Sequence, residues 1–98
     1  MEGHSLISPD VLASYAADAA RETEGVAALV ESPLHRHKGV RVAEQEEGVT
    51  VELHLAAAWG ASLPDVGRAV QRRVLDYLAR MADVRPASVN VVFDEIRS

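Results

Sequence analysis

The chain contains no cysteine, which excludes disulfides, thiolate metal sites and a cysteine nucleophile. Aromatic residues are scarce: two tyrosines, one tryptophan and one phenylalanine among 98 residues, too few to line a large small-molecule pocket. No apolar run approaches the roughly 20 residues of a membrane-spanning helix, and the opening Met1-Glu2-Gly3-His4 lacks the features of a secretion signal. The six glycines are scattered and punctuate turns, so no phosphate-cradling loop is present. None of the serines sits in a G-x-S-x-G elbow. Positive charge is also in short supply. A net charge of −5 speaks against generic nucleic-acid binding, which relies on a basic surface to displace counterions from phosphate.

What the chain does have is aliphatic and alanine-rich. Hydrophobic residues make up 48% of it, enough for one core at this length and not for two. Residues 1–98 therefore read as a single domain, with its core over about residues 6–94. Charge is unevenly divided, with ten acids and four bases in residues 1–62 against five acids and six bases in residues 63–98. The asymmetry fits a basic helix face complementary to an acidic surface on another copy or a partner, and equally an ordinary solvated surface.

The stretch from Gly48 to Met81 organises the rest. Val49, Val51, Leu53 and Leu55 alternate with Thr50, Glu52 and His54, the period of a half-buried strand. The alternation fails in Ala56-Ala57-Ala58-Trp59, and the strand is expected to stop at Gly60. Ser62-Leu63-Pro64-Asp65 then opens a helix: the serine can cap free N–H groups, the proline suits the first turn, and the acid meets the positive end of the dipole. Its apolar side holds Val66, Val70, Val74, Tyr77, Leu78 and Met81, and it should end near Ala82-Asp83. An earlier helix opens in the same way at Ser8-Pro9-Asp10, puts Leu12, Tyr15, Ala16, Ala19 and Thr23 on one face, and is expected to stop at Gly25 as its left-handed terminus. Val26 to Val30 reads as a brief strand, residues 31–39 as the main loop, and Val40 and Val42 as a strand joined to the central one through a Gln45-Glu46-Glu47-Gly48 hairpin. After Arg85-Pro86, Val89, Val91 and Phe93 alternate into a last strand, with Val92 out of step. The order α-β-β-β-α-β, with a crossover joining two parallel strands, predicts an α+β or α/β two-layer sandwich: a small mixed sheet with two helices on one face.

Chemistry-bearing constellations are few. His35-Arg36-His37 could chelate a metal ion if Glu31 or His54 supplied a third ligand, which would make a metal-sensing domain; otherwise it is a polar loop with two titrating histidines. Glu46-Glu47 occupies a hairpin tip, without the cleft that an acid–base pair needs. No catalytic residue, cofactor site or metal site is assigned. On the second helix, Arg68, Arg72 and Arg80 occupy the outer side with Leu75 far round from the apolar stripe. Leu75 either packs under a strand edge or serves as an apolar anchor ringed by arginines, and Arg68, Arg72, Leu75 and Arg80 are the candidate partner interface. Trp59 is expected to close over the core, with recognition as the alternative.

Several stretches recur in this order in one known family: Ile7-Ser8-Pro9-Asp10-Val11, Glu24-Gly25-Val26-Ala27, Lys38-Gly39-Val40-Arg41-Val42, Gly48-Val49-Thr50-Val51-Glu52-Leu53, Gly60, Leu63-Pro64-Asp65-Val66 and Ser88-Val89-Asn90-Val91. Across residues 6–94 the chain resembles the alkaline shock protein family, also called the Gls-type envelope stress response family. No single motif is specific; the order and spacing carry the resemblance. It departs from the family in a shorter loop at 31–38 and in Ala57-Ala58-Trp59 at the strand end. The resemblance implies a non-enzymatic bacterial protein of the cytoplasm, linked to envelope and alkaline stress, acting through protein–protein contacts. It further implies a self-associating scaffold, a homo-oligomer held near the membrane by a small anchored protein partner, without direct membrane insertion. A small RNA-binding module resembling KH domains is the alternative, although the chain lacks their G-x-x-G clamp and basic surface.

Overall fold

The computed structural model describes residues 7–31 and 39–98. The elements come in the expected order: α1 (Pro9–Arg21), β1 (Val26–Leu29), β2 (Val40–Gln45), β3 (Gly48–Ala58), α2 (Leu63–Ala82) and β4 (Ser88–Arg97). Strand β3 is the spine of the sheet. Along its N-terminal half it pairs antiparallel with β2, from Gln45 opposite Gly48 to Val40 opposite Leu53, so Glu46 and Glu47 alone make the hairpin turn. Along its C-terminal half it pairs antiparallel with β1, Leu29 lying opposite Leu55 and Val26 opposite Ala57. On its other edge β4 runs parallel from Ser88 to Arg97, as the crossover requires.

Strands β1 and β2 therefore share one edge of β3, end to end. The Val30 N–H donates to His54 O at 2.8 Å, one step before Val40 takes up its place opposite Leu53. Gly39 closes that junction with φ +85, where an added Cβ would stand 2.5 Å from Val30 O and 3.1 Å from His54 O. Only glycine fits so close to two backbone carbonyls.

Alternation along β3 decides which face is covered. Val51, Leu53, Leu55 and Ala57 are fully buried, and the first three form one core with Leu12, Ala16 and Ala19 of α1 and Val66, Val70, Val74 and Leu78 of α2. Both helices thus lie on one face, α1 over β1 and β2, α2 over β4. Six buried residues of α1 include five alanines, which lets that helix sit close to the sheet. The helices meet each other through Tyr15 and Tyr77, edge to face with ring centroids 5.9 Å apart. Gln71 reaches from α2 to donate to Val89 O of β4 at 2.9 Å.

The helix starts are as the sequence indicates. Ser8 Oγ accepts from the Val11 N–H and Ser62 Oγ from the Asp65 N–H. The end of α1 differs from expectation. It stops at Arg21 with a right-handed Glu22 cap, not at Gly25. Thr23 Oγ1 donates to Ala19 O at 3.0 Å, so a carbonyl of the last turn is satisfied without a left-handed residue. Gly25, with φ +96, is needed three residues later, where the chain turns into β1 against Val66. Asp83, with φ 55, provides the left-handed residue that closes α2. No helix among the described residues is long and apolar enough to cross a membrane.

Candidate functional site

Helix α2 buries Val66, Val70, Val74 and Leu78 and turns its other side to solvent. At 100° per residue, Arg68, Arg72 and Leu75 fall within an arc of about 60°, whereas Arg80 lies about 140° from Leu75. The first three share a face. Leu75 is 42% exposed, so it is not tucked under a strand. Arg68 pairs with Asp65 at 2.6 Å and Arg80 with Asp76 at 3.1 Å, while Arg72 has no ion-pair partner among the described residues. Arg80 lies on the flank of α2 that faces the end of α1, and Arg72, at the edge of the outer face, borders that flank as well.

That flank is one wall of an open groove of about 1040 Å³. The opposite wall is the turn from α1 into β1, which carries Glu22 and Glu24; Trp59 and Gly60, in the turn from β3 into α2, close one end. Arg73 reaches across to Glu22 at 3.6 Å. Trp59 does not close over the core, as the sequence suggests it should: it is 76% exposed. The core beneath is already filled by aliphatic side chains of β3 and α2, and the Trp59 N–H is held by Arg97 O at 2.8 Å, which carries the residue past the sheet edge.

The uncovered face of the sheet holds a polar cluster that the sequence shows only in fragments. His54 and Glu52 project from the same face of β3, and a register shift in β4 after Phe93 places Asp94 beside them. One ring nitrogen of His54, Nδ1, lies 2.8 Å from Asp94 Oδ2 and the other, Nε2, 2.6 Å from Glu52 Oε2. The His54 side chain is only 10% exposed. Burial pulls its pKa down, but the hydrogen bonds and charges of Glu52 and Asp94 outweigh this and hold it above the ordinary 6.5. Because the two carboxylates sit on opposite ring nitrogens, they cannot converge with the imidazole on one metal ion. Among the described residues no histidine and acid group is arranged to hold one. His35 and His37 lie outside the described residues; Glu31, the other ligand considered with them, is exposed.

A mixed four-stranded sheet with two helices on one face makes this a small two-layer α/β domain. The chain belongs to the alkaline shock protein 23 family, of cell envelope-related function, whose sequence model matches residues 1–98. It is 28% identical over 95 residues to YqhY of Bacillus subtilis (strain 168), spanning 87% of this chain and 70% of that protein. Its fold is similar to that of MamM CTD structures. A zinc form superposes with a TM-score of 0.58 at 11% identity over 91% of this chain and 86% of that one. A manganese form gives 0.56 at 12% identity over 88% and 96%. At such identities the likeness is one of fold.

Proposed function

We propose that this chain is a non-enzymatic, envelope-related scaffold of the bacterial cytoplasm that works through protein–protein contacts. It self-associates and is held near the membrane by a small anchored partner, which docks on the outer face of α2. The observation that carries this reading is Leu75, an apolar side chain 42% exposed on a helix whose core face is fully packed, with Arg68 and Arg72 on the same arc. Arginine is among the residue types enriched at interface centres, and an exposed leucine beside it offers a partner apolar area to bury. Membership of a family with cell envelope-related function supports the location.

The test is fractionation of cells that produce this chain with its native neighbours. The untagged protein should co-sediment with membranes, and the double variant Arg68→Glu and Leu75→Glu should move to the soluble fraction with unchanged melting. Equal distribution of the two proteins would overturn the assignment of the α2 face.

A further inference from the structure

We infer that the groove beside Trp59 is the surface through which two copies of this chain meet about a two-fold axis, with Glu24 of each copy facing Arg72 of the other. This rests on the self-association proposed above and names its surface. Among the described residues Trp59 is the most exposed of the large hydrophobic side chains, at 76%, yet its backbone is fixed: its N–H donates to Arg97 O at 2.8 Å, directly beyond the last β3–β4 pair. A tryptophan held on a rigid turn and turned to solvent is the residue type most enriched among interface anchors. The groove at its side runs between α2 and the turn that follows α1, and is open along its length.

Charge decides the occupant. Most ionic side chains around the groove are already matched within the chain, Arg73 with Glu22, Arg80 with Asp76 and Asp65 with Arg68. Glu24 and Arg72, both exposed, have no ion-pair partner among the described residues, and they stand on opposite walls. One spare acid on one wall and one spare base on the other make the groove self-complementary, because a two-fold axis sets each wall against the other wall of the second copy. An anionic membrane surface would find no net positive rim here, since Glu22, Glu24, Asp65 and Asp76 line the groove beside Arg72, Arg73 and Arg80. A partner carrying charge of a single sign would leave Glu24 or Arg72 facing its like.

Sedimentation velocity on the untagged full chain tests this, with thermal melting as a check that each variant is folded. The wild type should associate reversibly. Trp59→Ala should weaken association by about tenfold or more, and Glu24→Arg or Arg72→Glu alone by about three- to tenfold through like charges brought together. The double variant Glu24→Arg with Arg72→Glu should recover most of the loss, since the reversed pair again matches across the axis. Recovery would not follow from a merely structural role for either residue. If the wild type associates and these variants associate equally well, or if the double reversal is no better than the singles, the surface is wrong while self-association stands. A wild type that stays monomeric overturns both. So does a monomer whose Trp59 emission shifts only on anionic phospholipid vesicles, which would make the groove a membrane contact.

Discussion

At the scale of single residues, His54 shows how a side chain can be visible in a sequence while its setting is not. Its place in the β3 alternation marks it as facing away from the core, and Glu52 two residues earlier must share that face. Asp94 could not be added by the same reasoning, because it reaches His54 through a parallel pairing forty residues away and a shift of register after Phe93. The consequence is a pH dependence of defined sign. A histidine whose folded pKa is raised contributes stability in full below its unfolded value near 6.5 and loses it as pH rises through the folded pKa. With Arg41 paired opposite Glu52 as the nearest cation in the ladder, deprotonation leaves one of the two carboxylates facing a ring nitrogen that no longer donates. Urea denaturation of the wild type between about pH 6 and about pH 9 should show declining stability, and His54→Gln should flatten that slope. Parallel slopes would show that the cluster does not titrate in this window. Two glycines supply a contrast at the same scale. Gly25→Ala places a Cβ 2.5 Å from Val66 Cγ2 at φ +96 and should destabilise by about 2–4 kcal/mol, strain and overpacking together. Gly60→Ala, at φ +85 with open space around it, should lose only the conformational part, about 1–2 kcal/mol. Chemical denaturation distinguishes the two.

Among elements, most of what depends on neighbours in sequence was legible; the end of α1 was not, because Thr23 bonds back to Ala19 and closes the helix before Gly25. The period of β3 and the capping serines of both helices announce themselves within a few residues, because a cap bonds only to its own first turn. The division of α2 was legible only in part: the helical angle alone separates Arg80 from Leu75, but the groove that receives Arg80 exists only once α1 has packed alongside. Trp59 escaped for the same reason, since nothing local says that the core below it is already full. The collinear placement of β1 and β2 on one edge of β3 is likewise a property of register, visible in Gly39 and Val30 once they meet. Helix α1 offers a direct test of close approach. Ala16 and Ala19 are fully buried against the sheet, so Ala16→Leu or Ala19→Leu should destabilise by about 1–3 kcal/mol through overpacking. Leu53→Ala, which empties the centre of the spine, should cost about 2–5 kcal/mol. Melting curves that leave the alanine variants unchanged would mean that α1 has room to spare.

For the whole molecule, one hydrophobic cluster joins both helices to the sheet, so we propose a single folding unit that loses near- and far-ultraviolet circular dichroism together on heating. Two separated transitions would refute that. Its surface carries internally matched ion pairs, an exposed Leu75 face and a Trp59 groove whose walls each hold one charge, Glu24 and Arg72, without an ion-pair partner among the described residues. A chain so arranged, in a family of cell envelope-related function, acts in our reading by what it touches. The most direct measurement is static light scattering of the untagged protein from micromolar to hundreds of micromolar, at low and at moderate salt. The expected result is a mass that rises with concentration and rises less as salt screens the charged contacts. A monomer mass at every concentration and salt would contradict self-association and leave only the heterologous contact on α2.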